Sequence, residues 1–134
     1  MPDQDAQNFR RAIEAFNRGD LDAMVADMDP AVEWHVPGSM PDAQVYRGPE
    51  GVKRWAVIMR EAFDDLQLHF GDFEELANET VLVHVRANGR GRESGVEVEA
   101  PFWMLGTGRD GGLVRMEFFL TEEEAHAAIA ASEP

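Results

Sequence analysis

Residues 81–89 read Val81-Leu82-Val83-His84-Val85-Arg86-Ala87-Asn88-Gly89. Val81, Val83 and Val85 share one face of an extended chain, and Leu82, His84 and Arg86 take the other, the period of two that marks a strand. Asn88-Gly89 predicts a tight turn at its end. The same period runs outward in both directions. Upstream, Leu66, Leu68 and Phe70 alternate with Gln67 and His69, and Gly71 marks a bulge before residues 73–76. Downstream, Val96 and Val98 alternate with Glu97 and Glu99, and residues 100–105 are apolar on both faces. Asp110-Gly111-Gly112 then turns the chain into a last strand, whose Val114, Met116, Phe118 and Leu120 oppose Arg115 and Glu117. Hairpin-linked strands of this kind build an antiparallel sheet.

Outside this run the period is 3.6. Phe9, Ala12, Ile13 and Phe16 form one helical stripe that Gly19 ends. Asp20 caps a second helix with stripe Leu21, Met24, Val25 and Met28, which Pro30 stops. Residues 31–36 alternate as a short strand, with Val32, Trp34 and Val36 on one face and Glu33 and His35 on the other. Residues 37–49 read as a loop at a pocket rim. Pro49 opens a third helix, where its missing N–H costs nothing, and Val52, Trp55, Met59 and Phe63 give that helix an apolar face. Thr121 and Glu124 have capping-box spacing, so a terminal helix follows with Ala125, Ala128 and Ile129 on one side. The expected class is α+β: helices segregated to one side of a curved antiparallel sheet, as one domain over residues 6–131.

The chain has 134 residues with 12 Lys and Arg against 26 Asp and Glu, a formal charge of −14. That charge repels phosphates and anionic lipid surfaces, so neither nucleic acid nor membrane is an expected partner. Cysteine is absent, which excludes disulfides and thiolate chemistry. No apolar run approaches the length that spans a bilayer, the N-terminus lacks a signal-peptide pattern, and a cytoplasmic protein is expected. Four scattered histidines without HExxH spacing give no zinc pattern, so no cofactor is expected.

The segment Ala15–Met28 (AFNRGDLDAMVADM), Val32-Glu33-Trp34, Tyr46-Arg-Gly-Pro-Glu-Gly51 and Asp110-Gly111 before the last strand resemble, in order and spacing, the SnoaL-like branch of the NTF2-like superfamily. The resemblance implies a cone-shaped fold around an apolar pocket. It spans isomerases, epoxide hydrolases, cyclases and binding proteins, so it does not by itself fix a reaction. The general-base aspartate of ketosteroid isomerases falls on Trp34, their oxyanion-hole tyrosine on Ala12, and their protonated aspartic acid near Ala100 or Phe102. None of those groups is present. The inward aspartate–arginine triad of the epoxide hydrolases also has no counterpart among residues 81–120.

Trp34, Tyr46, Trp55, Met59, Phe63, Phe102, Met104, Met116 and Phe118 are the expected pocket residues, with Tyr46 and the indole nitrogens as polar contacts for a small apolar or polycyclic ligand. His35 and Asp42 are the candidates for proton transfer, although strand parity turns His35 away from Trp34. Pro101, Trp103, Leu105 and Phe119 would emerge on the outer sheet face, where a homodimer or a fold-back of the terminal segment would cover them. Two functions follow. One is a hydrophobic-metabolite-binding protein, which as an enzyme would be a cofactor-free isomerase, lyase or hydrolase. The other is a non-catalytic module that docks a partner protein on the apolar sheet face.

Overall fold

Phe9, Ile13 and Phe16 are all buried, so the stripe they form presses α1 (Pro2–Arg18) onto the sheet. The computed structural model describes residues 2–37, 44–77, 79–110 and 112–132, with side chains from residue 6. After α1 come α2 (Leu21–Val25), β1 (Met28–His35), β2 (Val45–Arg47), α3 (Gly48–Ala62), β3 (Phe63–Leu76), β4 (Thr80–Gly91), β5 (Glu97–Arg109), β6 (Gly112–Phe119) and α4 (Glu122–Ser132). The six strands form one sheet in the order β2-β1-β6-β5-β4-β3. The fold is the expected α+β cone, with one feature that alternation does not reveal: β1 runs parallel to β6, whereas every other pair is antiparallel.

The two faces separate as the period of two requires. Val32, Trp34, Val81, Val83, Val85, Met104, Met116 and Phe118 are buried beneath α1, α2 and α3 in one core. On the opposite face α4 covers Leu82 and Leu105 through Ala125, with Trp103, Phe119, Ala128 and Ile129 packed around them. The terminal segment therefore folds back over this patch within the chain itself. Its start is fixed by Thr121 Oγ1, which accepts from Glu124 N at 3.1 Å. Asp20 caps α2 in the same manner, accepting from Ala23 N at 3.2 Å.

Asn17 ties α1 to the edge strand β3. Its amide donates to Leu68 O at 2.9 Å and its carbonyl accepts from Leu68 N at 2.8 Å. This side chain satisfies backbone groups that an edge strand otherwise leaves free.

Several expectations are corrected. Met28 is not part of the second helical stripe, because α2 stops at Val25 and Met28 opens β1. Pro30 therefore lies inside a strand, in the stretch where the β1–β6 register is broken between Met28 and Glu33, the place where a missing donor does least harm. Residues 45–47, expected as loop, form β2. Phe63 is not on the α3 face: its backbone is already extended (φ −132°, ψ 134°) and it begins β3. Asn88-Gly89 does not turn. β4 passes straight through it, with Asn88 opposite Glu99, and the connection lies at residues 92–96, closed by Gly95 N donating to Gly91 O at 2.8 Å. Gly89 serves a close approach instead, since a Cβ there would stand 3.2 Å from Asp64 O and from Leu66 Cα. Leu120, read as the end of the inward stripe of β6, is 41% exposed. The bulge expected at Gly71 is present, as a register shift between Phe70 and Phe73.

Candidate functional site

Between α1, α2 and the concave sheet face lies a cavity of about 50 Å³. Phe9, Ala12 and Ile13 of α1, Met24 of α2, Trp55 of α3, and Met28, Trp34, Leu68, Val81, Met104, Leu113 and Met116 of the strands make its apolar wall. Asn8, Asp27, Glu79 and Gly108 line it too. Asp27 and Glu79 are exposed, so the mouth is acidic. Arg11 answers one of these charges, with its guanidinium 3.3 Å from Asp27. Two recesses of about 430 and 320 Å³ lie elsewhere. They are lined mainly by charged surface residues, so the smaller, apolar cavity is the candidate site.

Gly106 shapes the wall. A Cβ at this position would lie 2.9 Å from Phe9 Cε2 and 3.2 Å from Leu113 Cδ1, so the bare backbone of β5 is what lets the Phe9 ring lie flat against it. That ring is also held edge-on by Phe73, at 5.6 Å between centroids.

The aromatic residues at the wide end fill much of the space expected for a ligand. Trp34 lies 5.1 Å from Trp55 and 5.4 Å from Phe118. Trp55 stacks on Phe118 at 5.6 Å, and Phe102 meets Phe118 edge-on at 5.8 Å. At about 50 Å³, the cavity compares with the ~150 Å³ of an engineered cavity that admits benzene. A polycyclic ligand does not fit this arrangement of side chains.

Trp34 carries the site's one anomaly. It is 2% exposed and lines the cavity, yet its indole Nε1–H has no acceptor among the described residues. Leaving such a donor unpaired costs about 1–3 kcal/mol.

Of the sequence candidates, Trp34, Trp55, Met104 and Met116 meet at the cavity, with Phe118 and Phe102 packed behind them. Met59 packs against the core away from the cavity wall. Phe63 borders a polar surface recess with Arg60, Arg90 and Arg92. Tyr46 is fully buried but off the cavity, where its hydroxyl accepts from Gln44 Nε2 at 3.1 Å and Arg54 lies over its ring at 5.6 Å. Asp42 lies outside the described residues. Sequence reading missed Phe9, Met24, Met28, Gly106 and Leu113. Gly106 carried a signal of its own, a glycine directly after the apolar run of residues 100–105.

His35 lies away from the cavity, with its Nε2 2.9 Å from Glu33 Oε1. Arg47 Nη1 donates to Glu33 Oε2 at 2.6 Å. The hydrogen bond from His35, followed by that from Arg47, holds the Glu33 carboxyl below its ordinary value. This is a surface charge network across β1 and β2, and it does not reach the cavity. Among the described residues no group of three or more His, Asp or Glu side chains is placed to hold a metal ion, and no helix is long and apolar enough to cross a membrane.

The chain matches the family model of the SnoaL-like domain over residues 9–116. Among solved structures it is similar to an NTF2-like protein from Burkholderia thailandensis E264, with 26% identity, 97% of this chain and 98% of that chain covered, and a TM-score of 0.77. It is also similar to TerC co-crystallized with polyporic acid, with 22% identity, 95% and 98% covered, and a TM-score of 0.78. An NTF2-like protein of unknown function from Burkholderia pseudomallei K96243 has 21% identity, 92% and 95% covered, and a TM-score of 0.79. No curated protein matches the chain.

Proposed function

The chain belongs to the SnoaL-like domain family, and from that premise we propose that it binds a small, uncharged apolar molecule whose one hydrogen-bond acceptor is received by the Trp34 indole. The observation that carries this reading is the buried Nε1–H without a partner in a residue that lines an apolar cavity. An acceptor on the ligand would remove the cost of that donor, and the apolar wall would bury the rest of the molecule. Carboxylate ligands are disfavoured, because the wall holds no cation and Asp27 and Glu79 stand at the mouth.

Binding is favoured over isomerase, lyase or hydrolase chemistry. Proton transfer needs a titratable group within hydrogen-bond reach of the reacting atom. Among the described residues the only ionisable side chains lining the cavity are the exposed Asp27 and Glu79, and His35 is engaged with Glu33 elsewhere. The reading is tested by following the Trp34 indole N–H in a ¹H–¹⁵N spectrum while small ketones and nitriles are added. A shift confined to Trp34 and its neighbours supports it. An unmoved signal, or equal binding by Trp34→Phe, rejects it.

A second reading, docking of a partner or of a second copy on the outer sheet face, is favoured by Trp103, which stacks on His84 at 4.5 Å. With Leu82 and Leu105 already under α4, such an interface would use that stack and the flanking ion pairs Arg86–Glu99 and Arg115–Glu117. Light scattering at micromolar concentration distinguishes a dimer from a monomer.

A further inference from the structure

Four of the chain's seven methionines, Met24, Met28, Met104 and Met116, line this apolar cavity, and each is buried. The fully buried positions elsewhere in the core include Val32, Val52, Val83 and Val85, branched side chains with fixed shape. Methionine differs: it is unbranched, has three rotatable bonds and refits to irregular partners. A methionine used only as filler closes space, whereas these four border a void that is also lined by Trp34, whose buried indole N–H has no acceptor among the described residues.

Two members of this ring sit outside the regular ladders. Met24 sits in α2, a helix of 5 residues. Met28 sits where the β1–β6 register is interrupted. Met104 and Met116 lie on β5 and β6, opposite Phe118 and Trp34 in regular ladders.

We propose that the methionine ring makes the cavity expandable, so that it takes monocyclic aromatic ketones well above its resting volume and selects them by the acceptor presented to Trp34 rather than by shape. Met24 and Met28 are the specificity-determining residues, because rotation of their side chains opens space without disturbing the sheet. The inference rests on the ligand reading above and extends it to a chemical class.

The test uses two probes on the intact chain. Acetonitrile is slim and carries one acceptor, so it needs little expansion. Acetophenone carries a ring as well as its carbonyl, so it needs the methionines to move. Binding is read from the indole N–H of Trp34, and side-chain rearrangement from the methyl carbons of ¹³C-labelled methionine, whose shifts report rotamer averaging. Trp103, on the outer face, serves as the unmoved control. Both probes are expected to shift Trp34, and acetophenone alone to shift the four methionine methyls. In a Met24→Ile/Met28→Ile variant acetophenone should bind about tenfold more weakly while acetonitrile stays within about twofold.

Acetonitrile binding without acetophenone binding means a rigid cavity and overturns the proposal while leaving the ligand reading intact. Acetophenone binding with still methyls, or with equal strength in the double variant, overturns it as well. If neither probe moves Trp34, the ligand reading fails and takes this one with it. Should the double variant not fold, the methyl shifts of the natural chain decide alone.

Discussion

Replacing Gly106 by alanine tests whether the cavity wall is built as described. The added Cβ would stand 2.9 Å from Phe9 Cε2 and 3.2 Å from Phe9 Cδ2 and Leu113 Cδ1, all closer than the ~3.5–4.0 Å that carbon contacts favour. The Phe9 ring must move by several tenths of an ångström, away from its edge contact with Phe73 or into the cavity. Overpacking of this size costs about 1–3 kcal/mol. Alanine returns about 0.5–1 kcal/mol by lowering the entropy of the unfolded chain, because the backbone at Gly106 is not in the left-handed region. The net loss is therefore about 0–2.5 kcal/mol, read as a lower denaturation midpoint at unchanged m-value. The methyl and the displaced ring also occupy part of a cavity of about 50 Å³, so the Trp34 indole signal should stop responding to acetonitrile. Unchanged stability together with unchanged ligand response would refute this account of the wall. A loss above about 4 kcal/mol would mean that the Phe9 ring cannot shift to admit the methyl.

Asn17→Ala removes both hydrogen bonds to Leu68 and should cost about 1–3 kcal/mol, with hydrogen exchange at Leu68 accelerating before that of β4. Thr121→Ala removes the α4 cap at about 1 kcal/mol, and Trp103 fluorescence should report the loosened outer face; unchanged exchange along α4 would contradict this. Glu33 has a lowered folded-state value, so its contribution to stability is present above its ordinary value of 4.5 and is lost as pH falls through the depressed one. The stability difference between the natural chain and Glu33→Gln should accordingly shrink as pH is lowered below about 4.5, and a difference that grows toward acid would reverse the assignment.

The alternation of residues 81–86 and of 32–36 gave the correct faces because burial on one side of a sheet leaves no freedom of register. The caps at Asp20 and Thr121 were legible for a similar reason, since each satisfies backbone donors by local geometry. What local pattern could not supply was partner identity. Val45–Arg47 is a strand only because β1 lies beside it, and three residues show no period. Asn88-Gly89 has turn chemistry, yet pairing with β5 carries the strand through it, and the glycine is needed for the approach of β3. At the site, Trp34 and Met116 were legible as inward residues. Tyr46 was not placed correctly because its inward direction leads to Gln44 and Arg54, away from the cavity. Phe9 was legible as part of the buried stripe of α1, but which sheet residues it meets in the wall, Gly106 among them, is set by tertiary packing that no linear period encodes.

The parallel pairing of β1 with β6 joins segments separated by most of the chain. The β3–β6 hairpins close over short distances, so they are expected to form first, and the docking of β1 to be the slow, entropically demanding event of folding. The apolar cavity would then come into existence only in that final step. Pulsed-labelling exchange during refolding should show β4 and β5 amides protected while Trp34 still reports an open, hydrated environment.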